Sequence, residues 1–224
     1  MGSLFRLTFE TNNLSGTADS FDSVVGNGDG DMAVAAGAAL HGSAYGVSVL
    51  INSLTPIYGI KAFTTSTRIR TGFYFKRNTL TAGTTPREIE LLRVIRSTGT
   101  VVLQVFFVVE AGPVYKIYIT AREDDLSWHT SASYMINDSE HGIEVDLLFG
   151  AGTGYATLRI DGVIQETLPA LDNNDFDAAS AWLGAEDVGS ASFSGTFYID
   201  EFCGNDDGSS VWDQTRLLRA IEKY

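Results

Sequence analysis

Glu144 and Asp146 are the residues whose spacing most suggests acid–base chemistry. Two carboxylates two positions apart on a strand project to one face. Glycoside cleavage uses such a pair held across the bond, roughly 5–5.5 Å apart for retention and wider for inversion. Leu147, Leu148, Phe149 and Gly150 follow, so the run supplies no further acid, and a polar strand face is the expected role. His41, His129 and His141 are scattered with no i, i+4 pair, which argues against zinc. Trp128 beside His129 offers an aromatic face that can stack on a sugar ring; the alternative is that Trp128 only covers an edge of the fold. Tyr74, Tyr134 and Trp182 are further aromatic candidates, and nothing in their spacing places them together. Asn27, Asp29 and Asp31 are spaced like the first ligands of an EF-hand, yet Met32 and Ala38 stand where that loop needs Gly and Glu. Gly150-Ala-Gly-Thr-Gly154 lacks the last glycine of a dinucleotide fingerprint and leads into a strand rather than a helix. Cys203 is the single cysteine, expected to be a buried, inert thiol.

These residues sit in a chain patterned almost throughout for strands. Tyr155, Thr157 and Arg159 alternate with Ala156, Leu158 and Ile160, the period-2 signature of a half-buried strand. Asp161-Gly162 is a two-residue hairpin signal, and Val163, Ile164 and Leu168 resume a strand beyond it. Further strands are expected at Ser3–Glu10, Phe21–Val25, within Met32–Leu40, and at Tyr45–Ile51, Ile57–Phe63 and Thr67–Lys76. Arg87–Arg96, Val101–Val109 and Val114–Thr120 form a meander, followed by a loop over Ala121–Ser133. His141–Phe149, Ser180–Asp187 and Ser192–Cys203 complete the set. Val101–Val109 is almost continuously apolar, which fits a strand covered on both faces or one covered by a partner. Such a series of short strands predicts an all-β, two-sheet antiparallel β-sandwich of jelly-roll type. The sandwich is expected over residues 1–204, with a linker and a short C-terminal helix over 205–224. That helix places Leu217, Leu218 and Ile221 on one side, for packing on the sandwich or for an assembly contact.

The run HGIEVDLLFGAGTGYATLRIDGV, His141 to Val163, resembles the laminin-G-like, concanavalin A-like lectin/glucanase superfamily. There an amphipathic strand, a Gly-rich turn and an L-x-(I/V)-D-G hairpin follow one another. Phe9-Glu10 and the stretch Gly42-Ser43-Ala44-Tyr45-Gly46-Val47 resemble the opening of carbohydrate-binding sandwiches of the same group. The resemblance implies a fold that hosts many functions. Glu144-Val145-Asp146 is similar to the E-x-D-x-x-E strand of bacterial glucanases, without its last glutamate. The resemblance also implies a structural calcium ion. In related sandwiches the F-E acid meets the Asp of a final (Y/F)-I-D-(D/E) strand, here Glu10 and Asp200, with Asp29 and Asp31 as possible additional ligands.

Asp and Glu number 28 against 15 Lys and Arg, a net charge of −13. A nucleic-acid partner is therefore not expected. No apolar run approaches the ~18 residues of a membrane span, and no signal peptide is seen at the N-terminus. The expected function is non-catalytic: a structural or assembly protein of a virus particle, such as a phage capsid-decoration or tail-associated subunit. It would act as a homo-oligomer or with other virion proteins, located on the virion or an extracellular surface. The competing reading is a carbohydrate-binding lectin module with a glycan partner. A polysaccharide lyase or hydrolase ranks last, because no complete acid–base set is present.

Overall fold

The computed structural model describes residues 2–83, 85–112, 114–187 and 193–212. In chain order the strands begin β1 (Ser3–Leu7), β2 (Ser23–Val25), β3 (Met32–Ala35), β4 (Gly46–Ile51), β5 (Ile57–Ser66) and β6 (Arg68–Lys76). The middle of the chain forms β7 (Thr81–Ala82), β8 (Arg87–Ile95), β9 (Val101–Glu110), β10 (Val114–Arg122), β11 (Trp128–Thr130) and β12 (Tyr134–Ile136). The last are β13 (His141–Leu148), β14 (Gly154–Ile160), β15 (Val163–Leu171), β16 (Ala178–Asp187) and β17 (Phe193–Asn205).

They form two antiparallel sheets, so the chain is a β-sandwich. The nine-stranded sheet runs β15-β14-β13-β6-β17-β4-β3, with β1 and β7 also pairing β17. The eight-stranded sheet runs β11-β10-β9-β8-β16-β5-β2, with β12 pairing β10. The period-2 pattern decides what each strand contributes. On β6, Ile69, Thr71, Phe73 and Phe75 are fully buried, while Arg68 and Arg70 on the alternate positions are half-buried. On β14, Ala156, Leu158 and Ile160 are buried between Tyr155, Thr157 and Arg159. Inward side chains from both sheets, among them Phe73, Phe75, Phe107, Ile143, Val145 and Phe197, form one core cluster. Each large apolar side chain so removed from water contributes roughly 1.5–3 kcal/mol. The Asp161-Gly162 turn joins β14 to β15 as expected: both residues have positive φ, 54° and 80°, and Ile160 pairs with Val163 across it.

Three expectations change. The segment Ala121–Ser133 contains β11, paired with β10 from Thr120↔Thr130 to Arg122↔Trp128, rather than loop alone. The apolar run on β9 needs no partner protein. Leu103, Val105 and Phe107 enter the core; on the other face Val102 and Val108 are buried, and Phe106 stacks on Tyr118 with centroids 4.8 Å apart. Residues 205–212 are a strap rather than a free linker: they lie on the outer face of the nine-stranded sheet, where Val211 and Trp212 are buried against Tyr74, Cys203 and Leu40. The expected helix contacts Leu217, Leu218 and Ile221 lie outside the described residues. No described helix is long and apolar enough to cross a membrane.

Candidate functional site

The outer face of the nine-stranded sheet carries the chemistry. Alternation puts Arg68, Arg70, Gly72 and Tyr74 of β6 outward, beside Gly142, Glu144 and Asp146 of β13 and Tyr155, Thr157 and Arg159 of β14. Register makes them neighbours: Tyr74 pairs Gly142, Gly72 pairs Glu144, Arg70 pairs Asp146, and Glu144 pairs Arg159. Gly72 and Gly142, diagonal to each other across the β6–β13 pair, leave a shallow floor. A Cβ on Gly72 would approach the Trp212 ring to 3.0 Å, and one on Gly142 would reach it at 3.6 Å. The indole therefore lies down on the sheet and tilts against Tyr74 with centroids 4.4 Å apart. His41 also stacks on Tyr74, at 4.3 Å and 12°.

Beside this aromatic wall opens a cleft of about 450 Å³ lined by His41, Arg70, Tyr74, Glu140, Gly142, Asp161, Gly162, Ser210 and Trp212. Its size falls in the ~300–1,000 Å³ range of small-molecule sites. Its rim is held by local hydrogen bonds. Asp161 accepts the Gly142 N–H at 2.9 Å and sits 2.7 Å from His141 Nδ1, which ties the hairpin turn to the start of β13. Glu140 accepts the His41 N–H at 3.2 Å. The strap is anchored by Glu144, which is buried. Its Oε2 accepts the Val211 N–H at 3.1 Å and the Ser210 hydroxyl at 3.3 Å, while its Oε1 pairs with Arg70 Nη2 at 2.5 Å. Asp146 takes a two-pronged contact from Arg68, 3.1 Å to Nε and 2.8 Å to Nη2. That hydrogen bond holds the Arg68 guanidinium above its usual range, against the opposing effect of burial. Glu144 and Asp146 thus face the same side, as their spacing predicts, but neither lines this cleft and each is engaged with an arginine of β6. Cys203 is buried beneath the strap.

The other aromatic candidates do not converge on this cleft. Trp128 and His129 occupy the β11 edge of the eight-stranded sheet. Arg122 lies 5.1 Å from the Trp128 ring centroid, and His129 Nε2 is 3.0 Å from Glu123. The Asp172 N–H, followed by His129, holds the Glu123 carboxyl below its ordinary range. Tyr134, on β12, donates to Glu166 at 2.7 Å, and that bond raises the phenol. Trp182, on β16, stacks on Tyr58 with centroids 5.0 Å apart and donates to Ser180 at 3.1 Å. Of the aromatic candidates, Tyr74 alone lines the cleft. His41, Arg70, Glu140, Asp161 and Trp212 were not legible as a group. They lie on five segments, and only strand pairing and the strap unite them.

Glu10 and Asp200 both grip the loop before β4. Asp200, fully buried, accepts the Leu40 N–H at 2.9 Å and the Ser43 hydroxyl through Oδ2, and the Glu201 N–H at 2.8 Å through Oδ1. Glu10 accepts the Ala44 N–H at 3.0 Å. Asp31 accepts from Asn52 at 2.8 Å, and Asp29 is exposed. Calcium requires six to eight oxygens turned toward one point. The groups described at these carboxylates are N–H and O–H donors. Among the described residues no three His, Cys, Asp or Glu side chains gather as a metal site. The corner fits hydrogen-bonded capture of the loop better than it fits a calcium ion.

A β-sandwich with an aromatic-walled, polar-rimmed cleft on one sheet face defines the general class: a sandwich with a candidate ligand site. No protein-family model and no curated protein matches the sequence. Solved structures do share the fold. One is a structure of botulinum neurotoxin type C, described in terms of cell entry through interaction with two ganglioside molecules. It is similar with a TM-score of 0.66 at 9% identity, over 98% of this chain and 51% of that one. The binding domain of botulinum neurotoxin DC in complex with rat synaptotagmin II gives 0.66 at 8% identity, over 98% and 52%. The botulinum neurotoxin type G receptor-binding domain gives 0.60 at 9%, over 92% and 48%. The chain spans about half the length of these structures. At such identities the likeness is one of fold.

Proposed function

We propose that this chain is a non-catalytic, lectin-like binding module that engages a glycan in the cleft between the β6–β13 face and the Ser210–Trp212 strap. The observation that carries the reading is the composition of that cleft. An aromatic wall of His41, Tyr74 and Trp212 stands against Arg70, Glu140, Asp161 and Ser210. A sugar presents apolar C–H faces and a ring of hydroxyls, and this lining offers a counterpart to each. The carboxylate pair that resembles a glucanase strand, Glu144 and Asp146, is committed to Arg70 and Arg68, so neither is poised as a nucleophile or a general acid. The structural neighbours support binding over particle assembly, since those structures are described by receptor-binding domains, gangliosides and a protein receptor. The covering of the β9 apolar run within the chain removes one argument for assembly.

The test is a glycan screen followed by calorimetry. His41 is half-exposed and Glu140 exposed, so both can be changed without opening the core. H41A with E140Q is expected to weaken binding by about tenfold, from one aromatic contact and one hydrogen bond, with little change in Tm. Absence of any bound glycan, or affinity untouched by the double substitution, overturns the reading. Hydrolysis or elimination of a bound polysaccharide overturns its non-catalytic half.

A further inference from the structure

A second depression, about 310 Å³, adjoins the cleft on the same sheet face, and Arg70 lines both. Its walls include Arg68, Arg159, Tyr155, Thr157, Thr167 and the exposed Ile164. Three guanidinium groups meet two carboxylates here, with the Asp207 carboxylate of the strap also acting on Arg68, in a chain whose net charge is −13. The carboxylates are already assigned. Asp146 holds Arg68 through two nitrogens, and Glu144 holds Arg70 while also accepting the strap. Arg159 is the remaining cation. It makes an ion pair to Glu144 at 3.8 Å, beyond hydrogen-bond reach, through a buried Nη1 that has no hydrogen-bond partner among the described residues, while its side chain keeps 16% of its surface exposed.

A guanidinium that hydrogen-bonds neither carboxylate, at the wall of a depression adjoining a sugar-sized cleft, suits a planar or tetrahedral anion. We propose that this depression is an acid-reading subsite in which Arg159 binds the carboxylate or sulfate of an acidic sugar, so that the module prefers acidic glycans to their neutral counterparts. The proposal rests on the glycan-binding reading of the adjoining cleft. It runs against the electrostatics of the whole chain, which repel a polyanion at long range; the preference must come from short-range, charge-assisted hydrogen bonds to the guanidinium.

The experiment is calorimetry with matched pairs: sialyllactose against lactose, and sulfated against desulfated chondroitin oligosaccharides. The acidic member of at least one pair is expected to bind about tenfold or more tighter than its neutral parent, as charge-assisted hydrogen bonds allow. The preference should shrink as salt rises from about 50 to about 300 mM. R159Q should abolish the preference while leaving affinity for the neutral parent within about twofold, a change too small to signal a lost contact. Because R159Q also alters the surroundings of Glu144, I164E provides a second variant at an exposed wall position, where an added carboxylate should repel the acidic ligand alone. Equal affinity for acidic and neutral members, or a preference that survives both variants, overturns the subsite. Binding weakened about tenfold in H41A with E140Q, beside an acidic preference in the parent, supports both readings. A failure of every ligand to bind sinks the glycan-binding reading itself, and this proposal with it.

Discussion

Replacing Glu144 is the sharpest probe of how the site is built. The carboxylate is buried, pairs with Arg70 at 2.5 Å, lies 3.8 Å from Arg159, and accepts the Val211 N–H and the Ser210 hydroxyl. E144A removes one partner of a buried ion pair, and that loss costs about 3–5 kcal/mol because the remaining charge is left uncompensated. It also strips the buried Val211 N–H of its acceptor, a loss of about 1–3 kcal/mol that overlaps the first. A combined cost near 4 kcal/mol is a large share of the ~5–15 kcal/mol that holds a typical domain together. With a urea slope of ~2.5 kcal/mol/M, the unfolding midpoint should fall by roughly 1.5 M. The loss comes mainly from the orphaned arginine, so R70M combined with E144M should recover most of it, since apolar replacement of a buried pair is often neutral. The recovered protein should still fail to bind glycan, because Arg70 lines the cleft and Glu144 anchors the strap that carries Trp212. Urea titration measures the first quantity and calorimetry the second. An E144A midpoint within about 0.5 M of the parent would refute the idea that this pair organises the face, since it corresponds to only ~1 kcal/mol. A double variant no better than E144A would show that the cost lies in the strap contacts and not in the charge.

Two further outcomes follow from the contacts described. Adding a chelator should leave Tm unchanged, because the Glu10 and Asp200 carboxylates already receive N–H and O–H donors; a fall in Tm reversed by calcium would restore an ion at that corner. Asp138 is held below its ordinary range chiefly by its hydrogen bond from Arg77, so its contribution exists above the unfolded Asp pKa of about 3.9 and disappears as pH falls through the lower folded value. Urea midpoints of the parent and D138N should therefore differ at pH 7 and converge below about pH 3; a gap that persists or widens in acid would show that charge is not the cause.

Local chemistry made much of the architecture legible. Alternation on Thr67–Lys76, His141–Phe149 and Tyr155–Ile160 announced strands and told which side chains face outward, because the pleat fixes side-chain direction at every second residue. Asp161-Gly162 named its own turn, since both positions need positive φ. The spacing of Glu144 and Asp146 put both on one face, and the missing third acid already spoke against hydrolysis. The short strands β7, β11 and β12 escaped notice: two or three residues cannot display a period, and such strands exist only because a longer neighbour pairs with them. Trp212 illustrates the same limit at the site. In sequence it read as the start of a helix, and Val211 and Trp212 are helical; what the sequence could not show is that the ring lies on Gly72 and Gly142 against Tyr74, from segments far apart in the chain.

What the chain determined on its own was therefore the sandwich and the outward row of each strand, both consequences of side-chain period and turn chemistry between near neighbours. Only the tertiary structure decided which outward rows lie side by side, that Arg68 and Arg70 take up the two carboxylates while Arg159 hydrogen-bonds neither, and that the strap closes one wall of the cleft. Those facts depend on strand order and register across the sheet, and contacts between residues 67 to 78 positions apart leave no periodic trace in the sequence.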